Sequence, residues 1–98
     1  MIIAVDFDGC LAVKERGRLV PNRGLITSLK QHQASGTIVI LWTCREGRSL
    51  NEALAFLRSC GFAPNFVNQN CPEGIRKLGH DSRKIYADIY LDDKGVRI

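Results

Sequence analysis

Asp6 and Asp8 flank Phe7 directly after an apolar run, Ile2-Ile3-Ala4-Val5, and Gly9 follows them. In an extended strand residues two apart point to the same side, so the two carboxylates converge on one point. Two such anions at the end of a buried strand are costly unless something positive lies between them. Mg²⁺, a hard cation that takes oxygen ligands in tight octahedral geometry, is the usual answer. A bare D-x-D is more often just a strand running into an acidic turn. The far end of the chain shifts that balance, because a second strand-like run, Ile85 to Leu91, ends in Asp92-Asp93.

The elements that must position these acids follow from pattern. Residues 2–6 are apolar on both faces, which suits a central strand of a covered parallel sheet. Residues 9–20 read as a turn and a small exposed hairpin bent at Gly17. Pro21-Asn22 opens a helix with Leu25, Ile26 and Leu29 at helical spacing, and Gly36 stops it. Thr37 to Thr43 is a second buried strand. Ser49-Leu50-Asn51-Glu52 has the form of a capping box, followed by the stripe Leu50, Ala53, Leu54 and Leu57 and a stop at Gly61. A short strand at Phe66-Val67, a short helix from Pro72 to Gly79 and the strand at 85–91 complete the series. Alternating strands and helices imply crossover connections and a largely parallel sheet, so the expected fold is α/β, a Rossmann-like three-layer sandwich formed by residues 1–98 as one domain. If strands 2–6, 37–43 and 85–91 run parallel, their carboxyl ends share one edge. Asp6, Asp8, Thr43, Asp92 and Asp93 then meet where open α/β sheets bind ligands.

The residues that meet there resemble the haloacid dehalogenase-like (HAD) phosphohydrolase superfamily. The likeness is carried by Asp6-Phe7-Asp8-Gly9, Thr43 at a strand end, a lysine before a late strand, and Asp92-Asp93 at its end. The run Ser82 to Lys94 is similar to that of a small capless subgroup of uncharacterised bacterial and phage proteins. What the resemblance implies is a Mg²⁺-dependent phosphatase working through an aspartyl-phosphate. Asp6 is then the nucleophile, and Asp8 the general acid that later serves as base. Mg²⁺ is held by the Asp6 carboxylate, the Asp8 backbone carbonyl and Asp92, with Asp93 supporting the ion from behind or orienting Lys84. Thr43 and Lys84 bind the phosphoryl group, Arg83 being the alternative cation, and Arg45 is a candidate for substrate contact. The subgroup has no cap domain, and between Asp8 and Thr43 there is room only for a hairpin and a helix. An open site fits a large phosphorylated substrate, a polymer end among them, or a second subunit acting as lid. The resemblance also implies a helix and strand beyond the last motif, for which the residues after Asp92 leave no room. Two other functions fit parts of the pattern: a non-catalytic phosphate- or metal-binding regulatory module, and phosphoryl transfer to an acceptor other than water. A phosphoaccepting receiver domain fits poorly, since its acid pair comes early in the chain and its lysine last.

Composition narrows the partners. Four of the ten acidic residues, Asp6, Asp8, Asp92 and Asp93, belong to the candidate site, which leaves six against fourteen lysines and arginines elsewhere. Such a surface favours anionic partners. Nucleic acid is one of them, although no nucleic-acid-binding motif accompanies the charge. No apolar run approaches the ~20 residues that span a bilayer. No leader sequence is evident, so a cytoplasmic location and reduced thiols are expected for Cys10, Cys44, Cys60 and Cys71. Their spacing fits no zinc site. Asp88 is expected to be structural, His80 a loop residue, and Trp42 part of the core.

Overall fold

Every position of Ile2–Val5 is apolar, so neither face of this strand can be left to water, and in the computed structural model all four residues are buried. The structure describes residues 1–94; residues 95–98 lie outside it. The Ile2–Val5 strand, β1, sits inside a four-stranded sheet in the order β5-β4-β1-β6. The neighbours are β4 (Ile38–Leu41) on one side and β6 (Ile89–Leu91) on the other, with β5 (Phe66–Val67) beyond β4. Every pairing in this sheet is parallel, with Val5 level with Leu41 and with Leu91. The expected α/β, Rossmann-like architecture is therefore present.

Alternation along the strands sorts the core into two layers. Ile3, Val5, Val39 and Leu41 face one side, where they meet Ile26 and Leu29 of helix α1 (Arg23–Ala34) and Ala53 and Leu57 of helix α2 (Gly47–Ser59). Ile2 and Ile40 face the other side, against Cys71 at the cap of helix α3 (Pro72–Leu78) and against Ile85. A slip of one residue in register would exchange these two sets, so the packing fixes the register. Each fully buried aliphatic side chain contributes roughly 1.5–3 kcal/mol. Strands β2 (Ala12–Glu15) and β3 (Arg18–Pro21) form a separate antiparallel hairpin turned at Arg16-Gly17, as its glycine predicts.

Three expected elements differ in extent. The strand predicted over 85–91 begins only at Ile89, because Ile85 is spent on the second core layer and the Tyr86 N–H is taken by the Asn70 side chain at 2.7 Å. The strand predicted over 37–43 runs only from Ile38 to Leu41, and Trp42 and Thr43 lie just past its end, Trp42 still donating its N–H to the Val5 carbonyl. The capping box at Ser49 is not used. Helix α2 starts three residues earlier, with Glu46 rather than Ser49 at the N-cap and Gly47 as its first residue, whose φ of +56° favours glycine and turns the chain out of the extended Glu46. Ser49 then lies within the first turn and donates to the Glu46 carbonyl at 3.0 Å. Among the described residues, no helix is long and apolar enough to cross a membrane.

Candidate functional site

The order of the strands sets where a ligand can sit. The chain builds outward from β1 through β4 to β5, then returns to place β6 on the opposite side of β1. This reversal is the topological switch point, and the crevice at the carboxyl ends of such strands is the usual binding place. Asp6 and Asp92 are the residues that follow β1 and β6. The Asp6 N–H donates to the Leu91 carbonyl at 2.9 Å, so the strand pairing itself brings the two acids side by side. On the other flank the Trp42 N–H donates to the Val5 carbonyl at 2.9 Å and carries Thr43 to the same edge.

Phe7 locks this end of β1. Its ring is fully buried and stands edge-on to Phe56, with centroids 6.0 Å apart. Its carbonyl accepts from Cys10, Leu11 and Ala12, which folds residues 8–12 into a tight turn. With Phe7 pinned inward, Asp6 and Asp8 both line the crevice, but their carboxylates do not converge on one point as the D-x-D spacing predicts. Gly9 completes the turn with φ +76°, and a Cβ there would collide with the Asp93 carboxylate. Glycine is therefore required twice over, by conformation and by space.

Asp6, Asp92 and Asp93 each present a carboxylate oxygen within 4.8 Å of the others. This is an all-oxygen donor set of the type that hard divalent cations take. Asp93 thus stands in the cluster alongside Asp6 and Asp92. Burial pushes the Asp6 carboxyl above its ordinary range, and the charges of Asp92, Asp93 and Asp8 push in the same direction against one hydrogen bond from the Phe7 N–H. The Asp8 side chain belongs elsewhere. Arg45 holds it with two contacts of 2.8 Å, from Nε and Nη2 to the two carboxylate oxygens. That bidentate bond is the main reason the Asp8 carboxyl lies below its usual range. Arg45 is itself braced by Nη1 donating to the Ser49 carbonyl at 3.0 Å, and its guanidinium carbon lies 4.8 Å from the centre of the Phe7 ring.

Two adjoining clefts open over these acids, of about 240 Å³ and 270 Å³. Asp6, Thr43, Cys44 and Asp92 line both; Trp42 belongs to the first, and Asp8, Asp93 and Lys94 to the second. The Thr43 hydroxyl accepts from the Arg45 N–H at 3.1 Å, which leaves its own proton available to an acceptor in the cleft. Lys84 lines neither cleft. Its ammonium sits 5.1 Å from the centre of the Tyr90 ring, at the rim, and Arg83 is exposed beyond it. The lysine the fold does bring to the acids is Lys94.

Asp88 is structural, as expected: its carboxylate accepts from the Ile2 N–H at 2.7 Å and its own N–H donates to the Ile2 carbonyl at 2.8 Å. Cys10 donates its thiol to the Leu91 carbonyl, and burial keeps that thiol well protonated. His80 is exposed. Trp42 is not a core residue; it stays 37% exposed and lines the cleft. Sequence reasoning also passed over Asn68, whose side chain accepts from the Thr43 N–H at 2.8 Å and whose N–H donates to the Leu41 carbonyl at 2.8 Å. Asn68 adopts φ +52°, a conformation that asparagine tolerates better than most residues. An asparagine just past a short strand was the available signal.

No protein-family model matches the chain, and no curated protein does. Among solved structures, a conserved protein encoded in Bacteroides thetaiotaomicron superposes with a TM-score of 0.79. The two sequences are 35% identical over an alignment covering 98% of this chain and 78% of the other. The present chain belongs to the same family as that Bacteroides protein.

Proposed function

We propose that the protein is a Mg²⁺-dependent phosphomonoesterase of HAD type. The observation that carries this reading is the meeting of Asp6, Asp92 and Asp93 at the strand switch point, with Asp8 two residues from Asp6 and the Thr43 hydroxyl across the cleft. The Asp6, Asp92 and Asp93 carboxylates would hold the cation, which supplies charge neutralisation for an incoming phosphate. Asp6 then attacks phosphorus, forming an aspartyl-phosphate as the bond to the leaving oxygen breaks. Asp8 gives its proton to that oxygen. In the second half Asp8, now ionised, takes a proton from water as the water attacks phosphorus, and inorganic phosphate leaves with Asp6 restored. The Thr43 hydroxyl donates to a phosphoryl oxygen throughout.

The Arg45 clamp constrains this scheme. While guanidinium holds both oxygens, Asp8 stays ionised and has no proton to give. A phosphate matches the guanidinium fork as well as a carboxylate does, so an arriving substrate competes for Arg45. Asp8, released beside the phosphate's negative charge, takes from solvent the proton it then gives to the leaving oxygen. The same clamp favours a second reading, a phosphate- or metal-binding module that does not turn over. Turnover of a generic aryl phosphate with Mg²⁺ separates the two. Wild type should hydrolyse it, and Asp6→Asn should lose on the order of 10⁴-fold in kcat. If wild type is as inert as the variant on aryl and polymer phosphates alike, the binding module stands.

A further inference from the structure

Trp42 is the sole tryptophan of the chain, and it occupies the first position after β4. A large aromatic side chain normally buries most of its area, yet the indole keeps 37% of its surface exposed and forms one wall of the cleft that also holds Asp6, Thr43 and Asp92. Tyr90, 40% exposed in β6, stands beside it with ring centroids 5.8 Å apart and planes inclined at 52°. The tyrosine ring is anchored, since its hydroxyl donates to the Ile85 carbonyl at 2.6 Å and accepts from the Ala87 N–H at 3.1 Å. Lys84 closes the row above Tyr90. Catalysis as proposed uses none of these three side chains.

An exposed indole that lines the cleft, backed by a second ring and a lysine outside it, forms the kind of surface on which a base stacks while its phosphate is held. Charge on the Asp8 side of the cleft extends this, since Lys14 is near enough to act on the Asp8 carboxylate. The hairpin that follows the D-x-D turn carries Lys14, Arg16 and Arg18 against the single acid Glu15, all exposed. A lone sugar phosphate would leave the indole without a partner; a nucleotide's base meets it, and the further phosphates of a strand would also meet the basic arm. We infer that the cleft takes a phosphorylated nucleotide, free or at the end of a strand, with its base against Trp42 and its phosphate toward Asp6. The inference rests on the phosphohydrolase reading for the fate of the phosphate, but not for the stacking.

Because Trp42 is the only indole, its fluorescence reports directly on stacking. The experiment titrates Asp6→Asn with Mg²⁺ present, in which turnover is blocked, and in parallel the wild type without Mg²⁺, with adenosine and thymidine monophosphates and with oligonucleotides phosphorylated at the 5′ or 3′ end. Glycerol phosphate, glucose 6-phosphate and a phosphotyrosine peptide serve as controls under the same conditions. Then kcat/KM for each is measured with Mg²⁺ in wild type and Trp42→Leu. Nucleotides should quench Trp42 where glycerol phosphate does not. Their kcat/KM should drop about tenfold more than that of glycerol phosphate on Trp42→Leu, mainly through KM, as loss of one stacked base predicts. Tighter quenching by the oligonucleotides, with a steep salt dependence, assigns the site to strand ends; equal quenching assigns it to free nucleotides. Equal or stronger quenching by the sugar phosphate or the phosphotyrosine peptide overturns the nucleotide. So does turnover of glycerol phosphate with no nucleotide quenching, which leaves the phosphatase intact. Nucleotide quenching with no turnover of any phosphate removes the phosphatase and keeps the nucleotide site.

Discussion

Asp6 and Asp8 are two residues apart on one turn, and the fold treats their charges in opposite ways. Asp8 is matched within the chain by a two-pronged arginine, although more than half of its side chain faces solvent. Asp6 is half-buried and has Asp92 and Asp93 for neighbours, with no lysine or arginine paired to any of the three among the described residues. The first arrangement is complete as it stands. The second accumulates like charge in a partly desolvated place, which costs stability until something positive arrives. The contrast separates a carboxylate whose charge is balanced within the chain from one whose charge is not.

Supplying the missing charge should have the largest effect. With Mg²⁺ at about 100 times its Kd, the protein should gain about 2.7 kcal/mol, a rise in Tm of roughly 10 °C or more, and Asp92→Asn should lose most of it. Thermal melts with Mg²⁺ and with chelator test this; an unchanged Tm would erase the distinction between the two carboxylates.

Breaking the matched side should cost less. Arg45→Met keeps the apolar stem over Phe7 but frees Asp8, and should destabilise by up to about 1 kcal/mol at neutral pH, within the range for a well-formed but partly exposed pair. Asp8 titrates below its ordinary range when folded, so the unfolded chain binds its proton first. The pair's contribution is therefore present above about pH 4 and is lost as pH falls through the depressed value. Asp6 is shifted the other way: the folded state binds its proton first, so metal-free protein is spared part of its strain as pH falls from the raised value toward the ordinary one. Urea titrations from pH 7 downward should show the gap between wild type and Arg45→Met closing in acid. A gap that is constant with pH would mean that Arg45 stabilises by packing alone.

The smallest effect sharpens the comparison by subtraction. Asp93→Asn removes one of the three like charges, and in chelator it should melt roughly 2 °C higher than wild type, while in Mg²⁺ the order should reverse. A loss of stability in both conditions would show that Asp93 serves the Gly9 turn rather than the cation.

Much of this arrangement was readable in the amino-acid order because it depends on local pattern plus one topological rule. An apolar strand ending in alternating carboxylates, and a second one ending in Asp92-Asp93, must converge if the sheet is parallel. What escaped reading depends on partners far away in sequence. Arg45 and Asp8 are 37 residues apart, and nothing at either position announces the clamp. Trp42 has the composition of a core residue, and only the side chain of Asn68, 25 residues from Thr43, shows that the strand has already ended there. Ile85 to Ala87 are as apolar as a strand requires, but the buried Asn70 diverts them across the sheet by donating to Asp81 and Ser82 and accepting from Tyr86. Lys84 and Lys94 flank the same strand, and spacing alone does not say which one reaches the cleft.

The seam between β1 and β6 also bears on how the molecule comes into being. The contact between Ile2 and Asp88 closes a separation of 86 residues, so the strand that delivers Asp92 leaves the ribosome well after β1, β4 and β5 and is the dearest in chain entropy to dock. Until it docks, Asp6 sits on a nascent chain without its acidic neighbours. The acidic cluster thus assembles only once β6 has docked, and a chain interrupted before β6 keeps most of the first core layer while leaving Asp6 without Asp92 and Asp93.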